Sequence, residues 1–368
     1  MQHMRAYFNY AGLARTPPKI KSRIHDADQT FEATLFSEEG VARYFHLLSE
    51  CRKNAARLLR SPAASEISLL PNASAGLNLA FQLLSPSLGK QIIVTSDQEH
   101  PAVEIPLEFL ARSGIRVERV SAESADEYIH KIRKLVELEA VGLVILSHVS
   151  YKDGRILPIL EISKIAAESR IPFVVDGSQA VGQIDVAINE IHPLIYVFSG
   201  HKWIFGPMGT GAMWSSPQIK EIADRFSGGW FSWALKSDGI NGGRFESGTI
   251  NFGLVAGLSL AFQDALEQGG RSLILKKIGE AIREPLSDLP QLQRNCWRGE
   301  RAPGIVTLQL PDQLPSWELA DRLLKHHGVV VKPFRPPERP NAVRISYAPW
   351  TEPAEVDLLV RAVRQELG

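Results

Sequence analysis

The sequence is poor in cysteine: Cys51 and Cys296 are the only two among 368 residues. Because they lie far apart and form no pair with metal-ligand spacing, a disulfide framework and a structural zinc site are disfavoured, and we predict no metal site. The sequence also lacks an excess of charge, since Lys plus Arg and Asp plus Glu both number 41. The composition therefore gives no support to a nucleic-acid partner or to an anionic membrane partner.

Long apolar runs are absent as well. None reaches the length of a membrane-spanning helix, and residues 1–9 have no apolar core of the kind found in signal peptides. We therefore expect a soluble protein of the cytoplasm without a membrane partner. At 368 residues the chain is long enough for one large domain and a smaller one.

Strands and helices are predicted to alternate from residue 67 onward. Between the strands lie helical patterns, and each strand–helix pair forms a βα unit, so the predicted fold class is α/β with a mostly parallel central sheet flanked by helices. In such sheets ligands bind beyond the carboxyl ends of the strands. The apolar runs that predict strands cover 92–95, 117–120, 143–146, 173–175 and 195–198, and the helical patterns lie near 101–113, 124–138 and 158–169.

The predicted domain organisation has three parts. Residues 1–40 are expected to form an irregular N-terminal arm with short helices, which belongs to the small domain. Residues 41–255 are expected to form the large domain. Residues 256–368 are expected to form a small α+β domain, because helical patterns there alternate with three short apolar strands.

Two predicted strand ends carry the residues on which the functional interpretation depends. The apolar run 194–198 is followed by Ser199–Lys202, with the sequence Ser-Gly-His-Lys, and the run 173–175 is followed by Asp176. A single lysine is most often a solvated surface charge. Together, however, a lysine amine and a carboxylate at strand ends suit pyridoxal phosphate (PLP). The lysine forms a Schiff base with the cofactor aldehyde, and the carboxylate keeps the pyridine nitrogen protonated.

The stretches Asp176–Ala180 (Asp-Gly-Ser-Gln-Ala) and Ser199–Lys202 resemble motifs of the PLP-dependent enzymes of fold type I, in the class V aminotransferase family. That family includes cysteine desulfurases, cystine and selenocysteine lyases, kynureninases and isopenicillin N epimerase-like proteins. The resemblance implies the PLP-dependent transferase fold of type I, an L-amino acid as substrate, and Lys202 and Asp176 as catalytic residues. It also implies a homodimer with composite active sites.

A phosphate-binding turn is implied within residues 72–76. This stretch contains small residues and a hydroxyl before a helical pattern, and helix N-termini bind phosphate through free N–H groups. From the local sequence alone, an ordinary N-cap explains it equally well. The resemblance favours phosphate contacts from Ala73 and Ser74, with Ser199 and His201 contributing from the other side.

Three further cofactor contacts follow from the resemblance. His100 matches a histidine that lies flat on the cofactor ring and biases its protonation, so we count it among the catalytic residues. Without the resemblance, a lone histidine at this position would be taken as structural. Gln179 matches the side chain that hydrogen-bonds the 3-oxygen of the ring. Thr249 matches a residue that reaches the phosphate bound to the neighbouring subunit.

Substrate contacts are implied at three positions. Arg344 matches the family arginine that binds the substrate carboxylate, and the alternative is a strand arginine that faces solvent. Lys332 and Arg335 are weaker candidates for a second anion contact. Tyr151 stands where many family members have asparagine, so it either narrows the pocket or donates its hydroxyl. Trp230 is assigned to a lid or pocket wall, and the alternative is a plug in the dimer interface.

The sequence leaves several PLP reactions open. Desulfurases that form a persulfide need a cysteine on a mobile loop near the C-terminal domain, and the corresponding stretch 333–341 contains none. Cys296 is too far upstream, and Cys51 is predicted to fill space in the core. Persulfide-forming desulfuration is therefore disfavoured. The stretches Tyr7–Gly12 and Gly243–Glu246 resemble those of cystine C–S lyase-like members, and this resemblance favours a β-eliminating C–S lyase without a persulfide cysteine.

A class V aminotransferase is the first alternative to this lyase. An epimerase or a decarboxylase comes next, and a catalytically silent PLP-binding protein is a remote possibility. A plain nucleotide-binding module is disfavoured, because no Gly-x-Gly-x-x-Gly motif follows the first predicted strand.

Overall fold

A computed structural model describes residues 4–34, 37–219, 222, 243–290, 292, 297–335 and 340–367. The chain divides into two compact units. The larger unit comprises residues 15–148 and 157–269, and the smaller one comprises residues 1–14, 149–156 and 270–368. Among the described residues, none of the helices combines the length and the apolar character needed to cross a membrane.

The larger unit is built on a seven-stranded sheet. In the order β2-β8-β7-β6-β5-β3-β4, the pairs from β7 to β4 are all parallel, and β8 runs antiparallel to both of its neighbours. The predicted, mostly parallel α/β sheet is therefore confirmed. The strands are β2 (Ile67–Leu70), β3 (Ile92–Ser96), β4 (Val117–Val120), β5 (Val141–Ser147), β6 (Phe173–Asp176), β7 (Ile195–Ser199) and β8 (Gly211–Ser215).

Most helices of the larger unit alternate with these strands, as expected for βα units. The helices are α1 (Pro18–Ala33), α2 (Glu38–Leu58), α3 (Ala73–Leu84), α4 (Pro101–Arg112), α5 (Ala125–Leu138), α6 (Ile159–Glu168), α7 (Ile188–Ile191) and α8 (Phe252–Glu267). The strands β3 to β7 and the helices α4, α5 and α6 agree with the predicted ranges to within two residues.

The predicted irregular arm with short helices is wrong for residues 18–33, which form the 16-residue helix α1. Its apolar side chains recur at helical spacing and pack on α8, where Phe31 stacks on Phe252 with ring centroids 4.8 Å apart. The backbone N–H of Gly253 also donates to Asp28 Oδ1 over 2.9 Å. These contacts place helix α1 in the larger unit. The local sequence does not reveal the helix, because its stability comes from packing against α8.

The core of the larger unit lies between the sheet and its helices. All of β3, β5, β6, β7 and β8 is buried, and the apolar face of α3 packs on this layer. A Cβ added at Gly76 would lie 2.7 Å from Cγ1 of Val197, so glycine permits α3 to approach β7 closely. This approach brings the N-terminus of α3 next to the carboxyl end of β7.

The smaller unit contains two small sheets. Strand β1 (Ala6–Tyr7) pairs in parallel with β10 (Val329–Val330), and β12 (Ala342–Ser346) lies between β9 (Ile305–Gln309) and β11 (Lys332–Pro333) in an antiparallel sheet. Its helices are α9 (Arg271–Arg283), α10 (Ser316–His327) and α11 (Pro353–Leu367). The unit boundaries fall at 14/15 and 269/270, whereas the sequence suggested 40/41 and 255/256.

Candidate cofactor site

The carboxyl ends of β6 and β7 lie side by side. Asp176 pairs with Val197 in the sheet register, and the N–H of Gly177 donates to the Val197 carbonyl over 2.7 Å. The Asp176 carboxylate is 5% exposed, and its Oδ1 accepts the N–H of Ser178 at 2.9 Å. Lys202 is half-buried in the turn after β7, and its carbonyl accepts the N–H of Phe205 at 2.9 Å. The sheet thus brings both predicted catalytic elements to one edge.

The N-terminus of α3 meets the end of β7. Asn72 is the N-cap, and its Oδ1 accepts the N–H of Ala75 at 2.9 Å. The N–H of Ala73 instead donates to Ser199 Oγ over 3.0 Å. Ser74 is exposed. The ordinary N-cap considered as the alternative is therefore present. The helix N-terminus is also hydrogen-bonded to Ser199, which the resemblance assigns to the phosphate.

His100 occupies the N-cap position of α4. Its Nδ1 accepts the N–H of Ala102 at 3.1 Å, so Nδ1 carries no proton and Nε2 is the nitrogen that bears one. Gln179 is buried, and its Oε1 accepts the indole N–H of Trp203 at 2.7 Å. Because the oxygen of this amide is directed to the indole, its NH₂ group is the end directed away from Trp203.

Two buried polar atoms at the strand ends have no hydrogen-bond partner among the described residues. They are Ser178 Oγ, directly after the Asp176–Gly177 turn, and His201 Nδ1, beside Lys202. Burial and, to a lesser degree, the neighbouring Lys202 ammonium lower the pKa of His201 to about 4. Unsatisfied buried polar atoms are costly, so they indicate a group that binds here and completes their hydrogen bonds.

A buried carboxyl group that the sequence analysis missed lies behind this site. Glu99 is 2% exposed, and it accepts the N–H and the hydroxyl of Ser147 at 3.0 and 2.6 Å and the hydroxyl of Ser96 at 2.5 Å. Burial raises the pKa of Glu99 to about 7, with a smaller contribution from the charge of Asp176. Its position directly before His100 is the only local signal that could have pointed to it.

A second pair that was missed flanks Asp176. His148 donates its backbone N–H to the Asp176 carbonyl over 2.9 Å, and its Nδ1 lies 2.9 Å from the hydroxyl of Tyr196. Burial lowers the pKa of His148 to about 4, and burial together with the Asp176 charge raises the pKa of Tyr196. Both side chains are thus neutral at pH 7, and no local motif marks either of them.

In the smaller unit, Arg344 and Tyr151 lie together. The Arg344 side chain is 2% exposed, so it does not face solvent, contrary to the alternative considered above. Its Nη1 donates to the Tyr151 carbonyl over 2.8 Å and its Nη2 to Asn9 Oδ1 over 3.0 Å. The Tyr151 ring packs edge-on against Phe334, with centroids 5.8 Å apart. These contacts hold the guanidinium in one position.

The remaining candidate residues divide into two groups. Lys332 Nζ lies 5.7 Å from the centroid of the Phe334 ring, Arg335 is exposed, and Thr249 is exposed in the single chain. Trp230 and Cys296 lie outside the described residues.

Cys51 is fully buried in α2, and burial raises the pKa of its thiol, so it fills core space as predicted.

The sequence and the fold were compared with known proteins. The family model described as Aminotransferase class-V matches residues 6–359. A probable cysteine desulfurase of Pyrococcus abyssi is 26% identical over 344 residues, covering 89% of this chain and 83% of the relative. A cysteine desulfurase of Cronobacter sakazakii is 27% identical, covering 96% of this chain and 91% of the relative.

Solved structures share the fold. An apo cysteine desulfurase from Thermococcus onnurineus superposes with a TM-score of 0.83 at 23% identity, covering 98% of this chain and 94% of that one. The cystine C–S lyase C-DES, in complex with its reaction product cysteine persulfide, superposes with a TM-score of 0.79 at 20% identity and covers 97% and 96%. A mutant of C-DES carries glycine covalently linked to its PLP cofactor.

The fold and the family match define a PLP-dependent enzyme of fold type I, either a lyase or a transferase. This chain belongs to the class V aminotransferase family. The residues at the strand ends fit PLP: a carboxylate, a lysine amine, a helix N-terminus, and two buried polar atoms, Ser178 Oγ and His201 Nδ1, that have no partner among the described residues.

Proposed function

We propose that this protein is a β-eliminating lyase that cleaves the C–S bond of a sulfur-containing or otherwise β-substituted L-amino acid, without a persulfide cysteine. One combination of features carries the proposal: the carboxyl ends of the strands present residues that fit PLP, and neither cysteine of the chain is suited to carry sulfur. Cys51 is buried, and Cys296 lies upstream of the stretch 333–341, where a persulfide-forming desulfurase would need its cysteine.

We assign the cofactor contacts to residues that follow the carboxyl ends of the parallel strands. Bound PLP supplies an electron sink for the bond that breaks at the substrate. The Asp176 carboxylate accepts the ring N–H, and the Gln179 amide donates to the ring 3-oxygen with the end that faces away from Trp203. His100 packs against the ring face. Lys202 holds the cofactor and then moves the proton at the substrate α-carbon.

The phosphate is assigned to the start of α3 and the end of β7. The helix terminus contributes N–H groups and a partial positive charge near Ala73 and Ser74. Because Ser199 Oγ accepts the Ala73 N–H, its own hydrogen is available to a phosphate oxygen. His201 contributes its buried ring nitrogen.

The substrate side is assigned to Arg344, Tyr151 and Trp230. The guanidinium of Arg344 binds the substrate carboxylate, and its hydrogen bonds to the Tyr151 carbonyl and to Asn9 orient it for a bidentate pair. The ring of Tyr151, packed on Phe334, narrows the pocket where asparagine is common in the family. For Trp230, which lies outside the described residues, the role of lid or pocket wall stays a prediction.

The identity of the products tests the reaction. With L-cystine, β-elimination consumes one water and yields pyruvate, ammonium and cysteine persulfide. Desulfuration of L-cysteine would instead yield alanine, and transamination would convert the cofactor into its pyridoxamine form. We expect pyruvate and ammonium in equal amounts from L-cystine. Alanine as the main carbon product from L-cysteine would refute the elimination assignment, and a pyridoxamine form that accumulates would favour the aminotransferase alternative.

A variant of Cys296 tests the persulfide assignment. The substitution Cys296→Ser should leave turnover unchanged, because no step uses a thiol of the chain. Loss of sulfur transfer in this variant, with normal folding and normal cofactor binding, would identify Cys296 as the sulfur carrier and would contradict the proposal.

A variant of Lys202 tests the cofactor assignment. The substitution Lys202→Ala should remove the visible absorbance band of the lysine-linked cofactor, and a borohydride-treated wild-type protein should carry the cofactor on the peptide that contains Lys202. The exposed Lys90→Ala is the matched control and should keep the band. An unchanged band in Lys202→Ala would overturn the site assignment.

We also propose a homodimer in which Thr249 contacts the phosphate bound to the partner subunit. Its exposure in the single chain, together with the exposed apolar side chains of Val41 and Phe45 on α2, supports this assignment. Co-expression of Lys202→Ala with Thr249→Asp should restore activity to about a quarter of wild type, because half of the dimers then hold one intact site. No activity above that of the single variants would refute the composite site.

Location of the protein in the cytoplasm stays a prediction.

A further inference from the structure

We propose that the smaller unit contains a binding site for a small dianion, such as a phosphate ester or a dicarboxylate, at the arginine pair Arg283–Arg301. A cavity of about 440 Å³ lies on the sheet strand β9, beside the C-terminal end of α9. Both arginines line it, together with Asp153 and apolar side chains. The inference is independent of the PLP site and goes beyond the function proposed above.

The carboxylate of the cavity is already paired. Asp153 is 4% exposed and binds a third arginine, Arg155, through Nε at 3.1 and 3.2 Å and through Nη2 at 2.9 Å. The Arg155 guanidinium also lies 5.0 Å from the centroid of the Trp297 ring. Among the described residues that line the cavity, Asp153 is the only acidic one, so Arg155 neutralises the negative charge available there.

Arg283 and Arg301 are bonded to neutral groups. Arg283 Nη2 donates to the Ile305 carbonyl over 3.1 Å, and Arg301 Nη2 lies 3.4 Å from the Trp297 carbonyl. Within the described part of the chain, no ion pair involves either guanidinium. Both side chains are half-buried, so solvent screens them less than surface arginines.

The backbone forces the positive charges together. Residues Arg155 and Arg301 face each other across an isolated antiparallel β-bridge, and the Ala302 N–H donates to the Gly154 carbonyl over 2.7 Å next to it. Burial lowers the pKa of Arg301, the Asp153 charge opposes this, and the charges of Arg155 and Arg283 lower it further. Three guanidinium groups thus lie near a single carboxylate that is paired with only one of them, and an added anion would relieve their repulsion.

The rest of the lining suits a small polar molecule. Ser287, Thr307 and Gln309 contribute polar side chains, and Leu286 and Ile305 contribute an apolar wall. The Thr307 hydroxyl donates to the Lys152 carbonyl over 2.7 Å, so the charged donors for an anion are the two guanidinium groups. The volume lies within the range of small-molecule pockets, and a guanidinium fork matches the oxygens of a phosphate or carboxylate.

The experiment uses the PLP-loaded protein, so that the cofactor already occupies its own phosphate site. Isothermal titration with inorganic phosphate and with malonate, at pH 8 and at low and physiological salt, should show one saturable site per chain. The double variant Arg283→Gln/Arg301→Gln should weaken binding at least tenfold. The double variant Lys276→Gln/Lys277→Gln, which also removes two positive charges but at exposed positions of α9, is the control and should bind like wild type.

The charge-conserving variant Arg301→Lys separates binding from folding. It should retain saturable binding with reduced affinity, because the charge remains and the bidentate fork is lost. Preference for inorganic phosphate would identify a phosphate ligand, and preference for malonate a dicarboxylate. The proposal is overturned if wild type binds neither anion saturably or if the double Arg→Gln variant binds as wild type does.

Discussion

The pKa of Glu99 reports how strongly burial shifts an ionisable group next to the candidate cofactor site. The carboxyl group is buried and accepts three hydrogen bonds from Ser96 and Ser147, yet burial outweighs these donors and raises its pKa from 4.5 to about 7. We predict that Glu99→Gln changes how the free energy of unfolding depends on pH. Glutamine is nearly isosteric and does not titrate, so the variant removes the titration and keeps the shape.

The sign follows from the direction of the shift. The folded protein holds the Glu99 proton more tightly than the unfolded chain, so this stabilisation is complete below about pH 4.5 and is lost as the pH rises to about 7. The difference between these two pKa values corresponds to about 3 kcal/mol. Wild type should therefore lose about 3 kcal/mol relative to Glu99→Gln over this interval.

His148 provides an internal control of opposite sign. Burial lowers its pKa from 6.5 to about 4, so the associated stabilisation is present above pH 6.5 and is lost as the pH falls through 4. The two contributions oppose each other in the same interval, and the wild-type curve alone would hide both. Each variant, Glu99→Gln and His148→Asn, must be compared with wild type separately.

The assay is equilibrium urea unfolding of the apoprotein, followed by tryptophan fluorescence at half-unit steps between pH 4 and 8. Removing the cofactor prevents its release from contributing to the transition. The wild-type advantage over Glu99→Gln should shrink as the pH rises, and its advantage over His148→Asn should grow. A difference between wild type and Glu99→Gln that stays constant with pH would refute the raised pKa.

Three further predictions concern the support of the site. Arg52→Gln should destabilise the protein by about 3 kcal/mol in urea unfolding, because it leaves the buried Glu246 carboxylate without the cation now 2.5 Å away; a loss below about 1 kcal/mol would show that solvent reaches this carboxylate. Gly177→Ala should cost about 2 kcal/mol or more in the same assay, since its Cβ would lie 2.0 Å from Cε1 of Tyr196; wild-type stability would contradict this packing. Ser199→Ala should weaken PLP binding about fivefold in spectroscopic titration, because it removes the hydroxyl that links β7 to the N–H of Ala73; unchanged affinity would remove Ser199 from the phosphate site.

The sequence predicted the sheet well because its strands are continuous apolar runs. The run Phe173–Asp176 is buried on both faces, and such a run has few alternatives to a central parallel strand. Helix α1 was missed, since its pattern is mostly polar and it is stabilised by packing against α8 and α2. Strand β8 was also missed, because its glycine-rich start at Gly211 looks like a loop until it pairs with β7.

The site shows the same division. Lys202 and Asp176 could be proposed from the sequence, because each follows a recognisable strand and carries a residue type that PLP chemistry needs. The contacts that tune their surroundings could not. Glu99 meets Ser147 across 48 positions of the chain, and His148 meets Tyr196 across the same separation. No local pattern reports such pairs.

By itself, therefore, the sequence determined the alternation of strands and helices from β3 to β7, the chemistry at the strand ends and the shortage of reactive thiols. The tertiary structure alone decided which side chains are buried, which protonation states burial favours, and which charges are paired. The arginine cluster of the smaller unit is an example, because Arg155, Arg283 and Arg301 are unremarkable in sequence. Their crowding arises only where β9 folds against residues 149–156, since desolvation and Coulomb energies depend on distances in space and not along the chain.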